Sequence, residues 1–298
     1  MKLSDEKILL KSKLFYHYFE PVAKRLSEIN YAIVKGEPLS YYAYGQFGKR
    51  YFNDIDLLVS KDDLKTVRMI LIENSFMPLR EDQFSRVFSL GFSHQIVPFA
   101  KRIGSFSIYI DVNFNIFWGE YAGKQISMKE FLNGTVSMQV HNCLIKTLPH
   151  IKFFIHIILH HYKDLNSIFL LATQKTIRLS LFQDLFNYFV NNKEYLPLDE
   201  LFRICTEYNI NDYVYYVLFY TCILFDNKDL KKYRDAFKSD QGENLLNKYG
   251  LSEKERKEWH IDFHTRLNNG ILYDYIKSDL SANEIENIEL NKKIFMLE

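Results

Sequence analysis

Residues 49–59 read KRYFNDIDLLV, and Asp54 and Asp56 within that run are the side chains with the clearest chemical use. They alternate with Ile55, Leu57 and Val59. In an extended strand, positions i and i+2 share a face, so the two carboxylates point together and the apolar residues point the other way. Like charges so placed repel, and each raises the other's pKa unless a cation lies between them. The pattern fits either a solvated strand end or a site for a divalent metal. Asp111 is a third acid of the same kind. In GSFSIYIDVNFNIFW, Phe106, Ile108, Ile110, Val112 and Phe114 alternate with Ser105, Ser107, Tyr109, Asp111 and Asn113, which puts Asp111 on the polar face of its strand. Three such carboxylates on adjacent strands suit magnesium, a hard cation that takes oxygen ligands and shares its sphere with substrate phosphates. A pair at i and i+2 bridges two ions, and the third acid completes one shell and accepts a proton from an attacking hydroxyl.

Upstream, the apolar strand 31–34 runs into Lys35-Gly36. A glycine where a strand gives way to a helix lets the backbone approach a ligand, and the first N–H groups of that helix favour anions. Taken alone, Gly36 is read as a turn residue. His156 and His160 stand one helical turn apart, but no Glu accompanies them in the HExxH manner, so a structural role is expected. His161 and Asp184 are expected to support the scaffold or line an acceptor pocket. His94 begins the strand preceding that of Asp111 and suits either the cleft or a cap. Tyr41, Tyr42, Tyr44 and Trp118 have faces for a nucleobase, yet aromatics are so abundant here, at 16%, that packing is the expectation.

The elements that must position these residues follow from periodicity. MKLSDEKILLKSKLFYHYFEPVAKRL is an amphipathic helix with no signal-peptide pattern. A helix starts near Pro38, a turn spans 45–48, the Asp-Ile-Asp strand follows, and a helix covers 61–74. Strands are predicted over 86–90 and 94–98 and through the Asp111 segment. Beyond Pro149 the pattern turns helical: 151–162, 168–173, 180–191, 199–209 and 211–225, with LSEKERKEWH as a solvated helix face. The expected fold is α+β: a mixed sheet flanked by helices over 1–145, then an all-helical domain over 146–298.

With 47% hydrophobic and 25% charged residues, the composition is that of a globular protein. The 38 basic and 37 acidic residues leave a net charge of +1, so no global electrostatic footprint supports nucleic-acid binding. Cys143, Cys205 and Cys222 form no CxxC pattern and fit reduced thiols. The apolar run 214–225 is too short for a membrane span. A cytoplasmic location is the expectation, and the abundance of Phe, Tyr, Ile, Asn and Lys reads as the codon bias of an AT-rich genome.

The stretch AIVKGEPLSYYAYGQFGKRYFNDIDLLVSKDDLKTVRMILIENSF resembles the nucleotidyltransferase superfamily, most closely a bacterial branch described as uncharacterised nucleotidyltransferases. The shared pattern is a strand ending in Lys-Gly, a short helix, an Arg, then Asp-Ile-Asp-Leu-Leu-Val and a helix. IDVNFNIFW, LPHIKFFIHIILHH and LFQDLFNYF extend the likeness over roughly residues 30–225. By this resemblance Asp54, Asp56 and Asp111 hold Mg²⁺, two ions, and carry catalysis. Gly36 lies against nucleotide phosphates, with Lys35 and Arg50 as their cationic partners. The implied reaction moves a nucleoside monophosphate from an NTP to a hydroxyl of an acceptor, with a small molecule the leading class and pyrophosphate leaving. Where the superfamily often has Gly-Gly or Gly-Ser, this chain has Gly36-Glu37. That departure motivates one alternative, a non-catalytic binding or adaptor protein on the same fold; another, which a basic groove beside Asp111 would favour, is a toxin-type enzyme that modifies RNA ends.

Overall fold

The computed structural model describes residues 5–118, 126–173, 177–270 and 272–295. Two compact units divide the chain, one within residues 1–119, 126–153 and 190–195, the other within 154–189 and 196–298. The elements in order are α1 (Asp5–Leu26), β1 (Tyr31–Ile33), α2 (Glu37–Tyr44), β2 (Asp54–Val59), α3 (Leu64–Glu73), β3 (Met77–Pro78), α4 (Gln83–Phe92), β4 (Phe99–Ile103), β5 (Phe106–Asn113), α5 (Met128–Phe131), β6 (Val136–Val140) and β7 (Cys143–Thr147). The helices α6 (His150–Asn166), α7 (Ile168–Thr173), α8 (Leu179–Asn192), α9 (Leu198–Glu207), α10 (Asn211–Leu224), α11 (Lys228–Ala236) and α12 (Asp240–Leu245) come next. A ladder of β8 (Lys248–Tyr249) with β9 (Lys257–Glu258) precedes α13 (Phe263–Arg266), α14 (Leu272–Ile276) and α15 (Ala282–Phe295). The fold class is α+β, as the sequence predicts.

In the first unit a mixed five-stranded sheet has the order β1-β2-β5-β4-β3. Only β2 and β5 run parallel; the other neighbours are antiparallel. One face of the sheet is apolar because Ile55, Leu57 and Val59 share it with Ile108, Ile110 and Val112, all essentially buried. Onto that face pack Phe15, Phe19, Val22 and Leu26 of α1 with Val67, Ile70 and Leu71 of α3. Their spacings of three and four residues are those of a helix stripe. The β6–β7 hairpin adds Val140, Cys143 and Ile145 to the same core. In the second unit, α10 is apolar on nearly all sides and buries Val214, Tyr216, Val217 and Leu218, so it forms the centre of the helical packing.

Three segments differ from expectation. Residues 83–92 form α4 rather than a strand over 86–90, because Asp82 caps the helix: its Oδ1 accepts from Ser85 N at 2.8 Å. Residues 94–98 contribute only an isolated bridge, Gln95 to Asn113, and the strand beside β5 is instead β4. Residues 251–260 are a turn and strand β9, with Trp259 buried, so the charged run is not a helix face.

The turn after α2 depends on two glycines of unequal constraint. Gly45 ends α2 in the left-handed conformation (φ 71°) and a Cβ there meets open space. Gly48 (φ 74°) lies so close to α1 that a Cβ would stand 2.9 Å from Leu9 Cβ. Gly45→Ala should therefore cost about 1 kcal/mol, for the left-handed backbone alone. Gly48→Ala should cost on the order of 2–4 kcal/mol, because overpacking adds to it. Urea unfolding of both variants measures the difference, and equal losses would contradict the contact with Leu9.

Candidate active site

The ladder between β2 and β5 sets the geometry. Their register pairs Asp54 with Tyr109 and Asp56 with Asp111. Register partners project to the same face, so all three acids line the polar side of adjacent strands. Asp56 is buried, at 5% exposure, and Asp54 and Asp111 are half-buried. The end of β1 brings a cation alongside: Val34 N donates to Asp56 O at 3.1 Å, and Lys35 Nζ donates to Asp56 Oδ1 at 2.7 Å. Arg50, half-buried, belongs to the loop that enters β2.

Burial pushes the Asp54 carboxyl above the usual carboxylate range, and the charge of Asp56 pushes it further; Lys35 and Arg50 oppose both. At Asp54, the expected effect of a neighbouring acid, offset by nearby cations, thus has a physical counterpart. Gly36 precedes α2 with φ 59° and ψ −124°, a conformation costly for any residue with a Cβ. A Cβ would meet only an ordinary contact with Phe52 at 3.7 Å, so the backbone angle rather than crowding calls for glycine.

Whether these residues suit a metal follows from their chemistry. Carboxylate oxygens on one sheet face are the donors a hard divalent cation takes, so Asp54, Asp56 and Asp111 fit in kind and in facing. Their side chains are not drawn into a closed shell: among the described residues, no three His, Cys, Asp or Glu side chains stand together as a cation site. The Lys35 ammonium supplies the positive charge against Asp56.

Glu37, the departure from the superfamily pattern, is completely buried and turns away from this face. Its carboxylate accepts from Gly48 N at 3.1 and 2.9 Å and from the Ser12 hydroxyl. Since that hydroxyl's single proton goes to Glu37, His141 Nε2 donates to Ser12 Oγ, at 2.7 Å. One carboxylate thus ties α1, the 45–48 turn and the β6–β7 hairpin together. Sequence reasoning missed this network. Its signal was Ser12, a polar residue on the apolar stripe of α1, in step with Phe15, Tyr16 and Phe19. It missed Lys11 too, whose Nζ donates to Asn53 Oδ1 at 2.6 Å and Tyr51 OH at 3.1 Å, holding the loop before β2.

The remaining residues disperse. His156, His160, His161 and Asp184 lie in the second unit, where His160 Nδ1 is 3.2 Å from Asp164 Oδ2 and His156, His161 and Asp184 are buried. Trp118 is buried, at 4% exposure, and Tyr42 packs against His150 and Phe153. Tyr41 is exposed and stacks on Phe47, and Tyr44 and His94 are half-buried.

The Lys35-Gly36 strand-to-helix turn and the Asp-Ile-Asp strand, set in an α+β unit, are the motifs through which the chain resembles a nucleotidyltransferase. The sequence model of the family described as uncharacterised nucleotidyltransferase matches residues 1–226, and the chain belongs to that family. No curated protein and no solved structure matches the chain. No helix among the described residues is long and apolar enough to cross a membrane.

Two predictions separate the roles of these acids. Because the folded protein holds the Asp54 carboxyl above its ordinary pKa, ionising it costs stability: the loss is absent below the ordinary carboxylate range and grows as pH rises through the raised value. Asp54→Asn should accordingly melt at a higher temperature than the parent protein at pH 7, with the gap closing as pH falls into the carboxylate range. A less stable variant at pH 7 would show that Lys35 and Arg50 outweigh burial. Glu37→Ala strands the Gly48 N–H and the Ser12 hydroxyl in the core and should cost about 2–4 kcal/mol in denaturant unfolding.

Proposed function

We propose that the chain is a magnesium-dependent nucleotidyltransferase that transfers a nucleoside monophosphate from an NTP to a hydroxyl of a small-molecule acceptor. The observation that carries this reading is the register of Asp56 with Asp111, which aligns three carboxylates on one face beside Lys35. The burial of Glu37 supports it, because the carboxylate next to Gly36, which would otherwise repel a phosphate there, is committed to Gly48 and Ser12.

Asp54, Asp56 and Asp111 would hold the metal, which when bound supplies Lewis-acid charge for the transferring phosphate. Lys35 and Arg50 neutralise phosphate oxygens, and Gly36, with no side chain, lets the backbone approach the same anion. Asp111 accepts the proton of the acceptor hydroxyl as its oxygen bonds to the α-phosphorus; the α–β bridging P–O bond breaks and pyrophosphate carries away that electron pair.

The test is incubation of the purified protein with each labelled NTP, Mg²⁺ and cell extract. Label should pass to an extract component, and Asp54→Ala and Asp111→Asn should each reduce the transfer about 100-fold or more. No transfer with any nucleotide, or equal transfer by the variants, rejects the enzyme. Absence of NTP·Mg²⁺ binding by calorimetry would then favour the adaptor reading.

A further inference from the structure

A cavity of about 430 Å³ lies on the other side of the same sheet. Phe99 in its wall pairs with Ile110, on the face opposite Asp111, and Leu64 and Arg68 of α3 close it from above. Its size is within the range of small-ligand sites. Five cations surround it: Lys61, Lys65, Arg68, Arg80 and Arg86. The single acid in the wall, Asp62, is held by Lys129 Nζ at 2.7 Å, and Arg68 bonds Glu81 at 3.0 Å. Lys61, Lys65, Arg80 and Arg86 make no ion pair among the described residues. Like charges around a concavity with apolar walls focus a positive field into it, which attracts an anion carrying more than one charge.

The helix at its edge is built inside out. On α4, Ser85 and Ser89 are buried, at 3% and 1% exposure, whereas Phe84, Val87 and Leu90 stand 58%, 61% and 38% exposed. A surface helix ordinarily buries its apolar stripe. Leu90 belongs both to that exposed stripe and to the cavity wall, so the apolar strip begins where the cation-ringed cavity opens.

We propose that this cavity binds an amphiphilic organic phosphate, a diphosphate or similarly charged head on a short apolar body. The head sits among Lys65, Arg68, Arg80 and Arg86, and the body runs from Leu64 past Leu90 onto Val87 and Phe84. The site is separate from Asp54, Asp56 and Asp111 and requires no metal. Each of the two halves of such a ligand explains one observation that the other half leaves open: the head meets the ring of cations, of which Lys65, Arg80 and Arg86 have no ion-pair partner among the described residues, and the body covers the exposed stripe.

Calorimetry of the full chain in EDTA tests this with geranyl diphosphate, inorganic pyrophosphate and geraniol as probes. Geranyl diphosphate should bind at least about tenfold tighter than either fragment, since only it engages both features. Lys65→Gln and Arg86→Gln, both exposed positions, should each weaken it about tenfold, and Asp54→Asn should leave it unchanged. The proposal is overturned if the diphosphate fails to bind, if pyrophosphate binds equally well, or if the glutamine variants match the parent. Loss of binding in Asp54→Asn would assign it to the acidic face and overturn the proposal equally. Binding to phosphatidic acid vesicles without binding to the monomeric probe would make this a membrane-docking surface instead.

Discussion

The parallel pairing of β2 with β5 is the constraint on which the acidic face depends. A slip of one residue would carry every side chain of β2 to the other side of the sheet, placing Asp56 in the core and Leu57 beside Asp111's face. The core forbids this. Ile55, Leu57, Val59, Ile108, Ile110 and Val112 are each at most 2% exposed, and burial of each is worth about 2 kcal/mol. Repulsion between two unit charges roughly 5 Å apart is about 3 kcal/mol at an effective dielectric near 20. The apolar side of the ladder therefore decides the register, and the polar side has to accept the charge density that results. Lys35 and Arg50 reduce that burden without removing it.

Lys35, Gly36 and Glu37 divide opposite tasks over three consecutive residues. The positive φ at Gly36 lets the chain reverse so sharply that the ammonium faces the polar side of β2 while the carboxylate faces α1. Neighbouring charges of opposite sign that would ordinarily pair with each other instead serve different networks. The Lys35 contact sets a positive charge against the buried Asp56. The Glu37 contact makes the turn beneath it rigid, since both carboxylate oxygens accept from one backbone N–H.

Much of this was legible from residue types. Period-two alternation identified the polar faces of β2 and β5, and the α+β order followed from where that period changed to the helical one. What alternation could not provide was pairing: nothing in either strand alone says that Asp56 stands beside Asp111, because register is settled by packing between segments far apart in sequence. The segment 86–90 was misread because α4 exposes its apolar residues and buries serines, reversing the polarity from which helices are recognised; the Asp82 cap was the better signal. β4 escaped notice because Lys101 and Arg102 interrupt it, although Lys101 bonds Asn74 O and reaches over the ring of Phe76. Glu37 reads in the sequence only as a departure from the superfamily's glycine or serine, whereas its partners, Ser12, Gly48 and His141, are brought to it only by folding.

The first helix carries a consequence for anyone shortening this protein. Within one turn it supplies Leu9, which closes on Gly48; Lys11, which clamps Tyr51 and Asn53; and Ser12, which completes the buried carboxylate's shell. Trimming the chain before residue 13 would spare every acid on the sheet and every strand that bears one. It would nonetheless unfasten the loop leading into Asp54 at three points, so a shortened protein that still folds would be a poor guide to the intact one.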